Sequence, residues 1–210
     1  MNEATEATAT QTSIKGFMLT AVLILPLGFF LWFYLSALLV MPTQWVLEWL
    51  LRSTIGDPVH DVVRNVYLLG AELLIDPPPG MSGSGQAVAE LTLNPMIYGY
   101  GLALVGGLIF CVPLHALQRL IQLLVTFLVV TGVQIWGCYW ELMKDLALNR
   151  SLGEDGLKMV DQAGINHELI AFCYQFGYLV LPAVIPVVVW IILNRRFIEG
   201  LVQPGVFARR

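Results

Sequence analysis

Apolar and polar positions fall into long separate blocks along the chain. No Asp, Glu, Lys or Arg occurs in 16–47, 91–118, 120–140 or 169–194, windows of 32, 28, 21 and 26 residues. Each exceeds the ~20 apolar residues that carry a helix across the bilayer core. The pattern predicts an all-α transmembrane fold, a four-helix polytopic membrane protein with spans at 16–41, 96–114, 119–143 and 168–194. Pro26 should kink the first span, Pro113 closes the second, and Pro182 and Pro186 interrupt the fourth.

The segments between the spans carry a different pattern. In 42–55, Gln44, Glu48 and Arg52 recur every four residues on one face, with Trp45, Val46, Trp49 and Leu50 on the other. That arrangement, with tryptophans favouring the headgroup level, predicts an interfacial amphipathic helix. The alternative is a plain extension of the first span beyond the bilayer. In 57–95, Asp57-Pro58 suits a helix start, and Val59, Val62, Val63 and Val66 have helical spacing. From Tyr67 the pattern turns to strand: YLLGAELLI and QAVAELTLN flank the breaker run DPPPGMSGSG. We expect a small extracytoplasmic β-hairpin there, leaning on the membrane helices or on a partner, because an isolated hairpin is marginal in water. Residues 1–15, rich in Thr, Ala and Glu, read as a disordered tail, 144–167 as a polar loop, and 195–210 as a second tail.

Composition sharpens the class. The chain is 57% hydrophobic and 12% charged, with mean hydropathy +0.73. A soluble domain carries about 25% charged residues, a density met here only outside the four windows. A soluble globular enzyme and a disordered chain are both excluded. A net charge of −4 gives no basic surface for nucleic acid. Cys111, Cys138 and Cys173 lie one per window, which is neither a disulfide framework nor a metal knuckle, and they read as buried inert thiols. The first window is too long for a signal-peptide core, and no small-x-small cleavage site follows it. Four spans place both termini on one side, with Lys15, Arg119, Arg195, Arg196, Arg209 and Arg210; the opposite side has fewer basic residues in a longer stretch. The denser side should be cytoplasmic, so both termini are expected inside.

Three features are candidates for chemistry. Gly99, Ala103 and Gly107 repeat every four residues, the small-xxx-small spacing that lets helix backbones approach closely; a ligand contact is the other reading. Thr131, Gln134, Cys138, Glu141 and Asp145 share one face of the third span, and Glu168, Gln175, Tyr178, Pro182 and Pro186 one face of the fourth. Polar side chains at membrane depth avoid lipid, so these stripes are expected to face each other. At the outer rim, Glu141, Asp145, His167 and Glu168 would cluster, with His60 and Asp61 nearby, and could bind a metal or a peptide segment or simply sit among headgroups. No ligand spacing specifies a metal, and no cofactor is expected. No His or Arg lies in the interior of a span to lower a cysteine pKa, and HExxH, GxSxG and P-loop patterns are absent, so we expect no enzyme. A transporter would want intramembrane charges or paired broken helices, whereas the fourth span is one broken helix at most.

The runs LPLGFFLWFYLSALLVMP, NPMIYGYGLAL and VQIWGCYWELMKDLAL resemble the exosortase-associated integral membrane proteins that accompany exosortase H in Gram-negative bacteria. The resemblance is strongest at 94–104 and 134–144 and departs from the family pattern at Ala103, where the family carries proline. It implies a multi-pass inner-membrane accessory of a protein-sorting system, with a membrane protein, the exosortase, as its partner. It implies no catalytic residues here. The expected function is a non-catalytic accessory subunit docking on a membrane enzyme or on its anchored substrate. The alternative is a small membrane enzyme or carrier using the acidic and His cluster at the rim.

Overall fold

The computed structural model describes residues 14–76, 87–149 and 152–202. Most of the first tail and of the breaker run, and all of 203–210, therefore lie outside the described residues. Helix α1 (Ile14–Tyr34) carries Pro26 within it and is followed by the single turn α2 (Ser36–Leu39) and by α3 (Met41–Thr54). Backbone hydrogen bonds such as Leu39 N–H to Leu35 O (3.0 Å) and Gln44 N–H to Val40 O (3.0 Å) carry the helical pattern across the joints. Three strands follow, β1 (Val59–Asn65), β2 (Leu68–Ile75) and β3 (Ala87–Leu93), and then the short α4 (Met96–Gly99) and α5 (Gly101–Cys111). The long α6 (Ala116–Leu148) leads to α7 (Gly153–Gln162), α8 (His167–Leu179), α9 (Leu181–Leu193) and α10 (Arg195–Val202).

Two of these helices, α1 and α6, are long and apolar enough to cross a membrane; α8 and α9 together make a third candidate, bent by 54°. The bend falls where Pro182 enters the first turn of α9, because its ring lacks an N–H and crowds the carbonyl four residues back. Met96–Cys111 is a shorter apolar stretch. The expected loop at 144–167 is instead mostly helix, since α6 continues to Leu148 and α7 fills 153–162.

The expected two-stranded hairpin is a three-stranded antiparallel sheet in the order β1-β2-β3. Where Val59, Val62, Val63 and Val66 suggested helix, the chain forms β1. The register shifts between Val59, opposite Leu73, and Asp61, opposite Glu72, so one extra residue is bulged out at His60. A bulge lets residues three apart point the same way. Val59 and Val62 are thereby both buried, and a strand acquires the spacing of a helix. The β1–β2 turn also carries no glycine: Val66 sits at φ 58°, a left-handed position that a β-branched residue rarely takes.

The inner face of the sheet (Leu69, Ala71, Leu73, Leu91, Leu93) joins one core with Leu47 and Leu51 of α3, Leu142 and Leu146 of α6, and Met159 and Val160 of α7. The polar face of α3 points at this sheet. Gln44 Nε2 donates to Val62 O (2.7 Å), and Arg52 donates to Val59 O (3.2 Å) and His60 O (2.7 Å). The periodicity that suggested a polar face in water thus belongs to side chains capping the carbonyls of edge strand β1. Trp45 and Trp49 on the opposite face are 64% and 68% exposed. Strand β3 is the other edge.

Helix α7 is tethered to the end of β2, with Asp155 Oδ2 accepting from Asp76 N–H (2.8 Å) and Asp155 Oδ1 from Lys158 Nζ (2.7 Å). The ammonium and the N–H hold the Asp155 carboxyl below its ordinary range. A carboxylate with a lowered folded-state pKa adds stability that is present above its unfolded value and lost as the pH falls through the lowered one. The tether is therefore intact at neutral pH and loosens only in strong acid.

Candidate functional site

The polar positions of α6 converge on the segment that joins the sheet to α5. Asn94 Oδ1 accepts from Met96 N–H (3.1 Å), and Tyr98 N–H donates to Pro95 O (3.1 Å), which winds the chain from β3 into α4. Gln134, 4% exposed, sits against this turn. Its Nε2 donates to Pro95 O (3.2 Å), and its Oε1 accepts from Thr43 Oγ1 of α3 (3.0 Å). One amide therefore links α3, α6 and the entry to α4. One turn further, Gly137 leaves room for the Tyr98 ring, and a Cβ there would fall on the ring. Tyr98 is 1% exposed, and its hydroxyl donates to Glu141 Oε2 (3.1 Å). Gln134, Gly137 and Glu141 thus meet Pro95, Tyr98 and Gly99 along one seam, where Gly99 in turn admits Gln134.

The other singled-out residues take varied places. Thr131 is buried with its hydroxyl unbonded, and Cys138 is fully buried. Asp145 pairs with Lys144 (2.7 Å), whose Nζ lies 4.8 Å from the centre of the Tyr174 ring. His167 and Glu168 are exposed at the start of α8, where Asn166 Oδ1 caps the Glu168 N–H (2.8 Å). The polar partners of Glu141 and Asp145 are Tyr98 and Lys144, not His167 or Glu168, and His60 lies 4.0 Å from Glu72 on the sheet. Among the described residues, no three His, Cys, Asp or Glu gather to hold a metal ion.

Along α8 the two expected stripes do not face each other. Gln175 and Tyr178 are exposed, and α8 buries Ile170, Cys173 and Gly177 instead. Trp136 Nε1 of α6 donates to Cys173 O (3.2 Å), so the junction is made by an indole and a backbone carbonyl. On α9 the stripe is buried at Pro182 and Pro186, whereas on α8 the buried face is the i, i+3, i+7 set Ile170, Cys173 and Gly177.

Ala103 and Gly107 pack against α1. A Cβ on Gly28 would lie 3.2 Å from Ala103 O, and one on Gly107 would lie 2.9 Å from Leu25 Cδ2. This seam is the main attachment of α1, which buries only Ala21. Gly107→Leu is expected to part α1 from α5, seen as faster protease cleavage near α2 in detergent, while Gly106→Leu, whose position is far more open, leaves cleavage unchanged.

The fold and this seam together define a helical membrane protein that carries a small sheet mounted on its longest helix. The chain belongs to the exosortase H-associated membrane proteins, whose family model matches residues 11–197. Searches of curated proteins and of solved structures each gave no match.

Proposed function

We propose that the chain is a non-catalytic accessory subunit of an exosortase-type protein-sorting system in the bacterial inner membrane, with both termini cytoplasmic. It docks through its sheet on the membrane enzyme or on that enzyme's anchored substrate. The observation that carries this reading is the asymmetry of the sheet. Side chains of α3 cap the carbonyls of β1, while β3 presents exposed Val88 and Glu90 at the opposite edge. An open edge with half its side chains exposed is a surface for partner recognition. Charge adds direction. Asp61 stands opposite Glu72, and Glu72 opposite Glu90, so three carboxylates cross the outward face in one row. Like charges in register are unfavourable by a few tenths of a kcal/mol or more, about 0.2–1 each, which a basic partner surface would offset. Packing of Met96–Cys111 between α1, α6 and α9 supports a fourth, short membrane segment.

The test is recovery of co-expressed exosortase H with the tagged full chain in mild detergent. Glu72→Lys with Glu90→Lys is expected to cut recovery tenfold or more, while the chain itself melts no earlier than wild type. Recovery equal to wild type from the doubly reversed sheet would remove the sheet from the interface.

A further inference from the structure

At the end of the bundle opposite the sheet, a cavity of about 660 Å³ opens between the start of α6 and the junction of α9 with α10. Its volume is that of a site for a small amphipathic molecule. Gln122 and Asn194 form its floor and exchange two amide hydrogen bonds, both 3.1 Å. Asn194 also donates to Trp190 O (3.0 Å), so these amides are occupied with each other and with backbone. What remains for a ligand is charge. Arg195 and Arg196 both line the cavity. Glu199, the only acid in 14–30, 101–125 and 186–202, pairs with Arg195 at 2.7 Å. Arg196 is exposed and has no acidic partner among the described residues.

Further positive charge gathers at the same end. Phe17 stacks near Trp190 and Phe197, with ring centroids at 6.2 and 5.6 Å, which brings Lys15 at the start of α1 to this end. Arg119, in the first turn of α6, lies 5.1 Å from the centre of the Phe110 ring, with its Nε buried and unbonded. The other walls are apolar. Ile121 and Ile192, 51% and 67% exposed, carry the lining outward onto the hydrocarbon-facing surface of α6 and α9. A free anion has no use for such walls, whereas a molecule with a phosphodiester head and acyl chains fits both halves. Guanidinium groups grip phosphate oxygens in pairs, and basic pockets between membrane helices on the cytoplasmic side suit anionic headgroups.

We propose that this cavity binds an anionic glycerophospholipid, with the phosphodiester at Arg196 and Arg195 and an acyl chain along Ile121 and Ile192. The inference stands on the cavity and is independent of the sheet's partner.

The test is the melting temperature of the full chain in maltoside detergent, followed by tryptophan fluorescence. Phosphatidylglycerol should raise it saturably, as a ligand selective for the folded state must. Phosphatidylcholine with the same chains should give less than a third of that rise, and sodium phosphate at millimolar concentration none. Arg196→Ala should melt as wild type without lipid and need at least tenfold more phosphatidylglycerol for half the effect. Arg196→Gln serves as a second variant read the same way, and Lys158→Ala, beside the sheet, should keep the wild-type response. Equal rises from the two lipids, a rise from phosphate alone, or an unchanged response in both Arg196 variants would each overturn the assignment.

Discussion

Replacing Gly137 by leucine is expected to be among the most damaging single changes in the chain. The Tyr98 ring occupies the space that any side chain at 137 would fill, and Tyr98 is fully buried between α4, α6 and α8. Overpacking of a tight interior costs about 1–3 kcal/mol. Here it also moves the Tyr98 hydroxyl away from Glu141, and a hydrogen bond between membrane helices contributes about 0.6–2 kcal/mol. The loss should be about 3 kcal/mol or more in reversible unfolding, with little folded protein recovered in detergent. Gly132, five residues earlier on the same helix, meets nothing within 4 Å. Gly132→Ala should be neutral or stabilising by up to about 1 kcal/mol, since glycine inside a helix is costly relative to alanine. If both variants lose stability equally, the packing account of Gly137 is wrong.

The second large effect is expected at Gln134. Gln134→Leu leaves the Thr43 hydroxyl without its partner in a buried seam and the Pro95 carbonyl with the Tyr98 N–H alone. The orphaned hydroxyl costs about 1–3 kcal/mol and the carbonyl's lost bond about 0.5–1.5 kcal/mol, so the sum is about 1.5–4.5 kcal/mol. Hydrogen bonds between membrane helices are individually worth only about 0.6–2 kcal/mol. The orphaning, rather than the lost bonds, sets the magnitude. Thr43→Val should therefore cost less than Gln134→Leu, and the double variant should cost less than the two added together, because the hydroxyl orphaned by one is deleted by the other. Strict additivity in unfolding measurements would mean that the two side chains do not share a bond in the folded protein.

The parts of the fold legible in the sequence are those where one physical signal stands alone. Long charge-free windows give the apolar helices, because lipid tolerates few ionised groups. The set Gln134, Cys138 and Glu141 marks the buried face of α6, although its counterpart proved to be the 94–99 segment rather than α8. Strand β1 was hidden by compensation: the bulge at His60 produced i, i+3 burial, and Val66 occupied a turn position that glycine or asparagine would have announced. The polar face of α3 was visible, but a one-dimensional pattern does not distinguish side chains that meet water from side chains that cap a strand. The basic cavity was illegible for a related reason. Gln122 and Asn194 are 72 residues apart and become a floor only when α6 and α9 pack.

The near-isolation of α1 bears on how the chain reaches its final state. Ala103 and Gly107, which receive Gly28 and Leu25, lie more than 70 residues downstream. At roughly 5–20 residues per second, a ribosome needs about 4–15 s to deliver them. During that interval α1 must reside in lipid unaccompanied. A helix that buries only Ala21 and turns leucine, phenylalanine and valine outward on every side is suited to that wait. Helix α6, which carries Gln134 and Glu141, by contrast follows segments that already offer Thr43, Pro95 and Tyr98. The order of synthesis thus matches the order of self-sufficiency, and reversing it would leave Gln134 and Glu141 in hydrocarbon before anything could receive them.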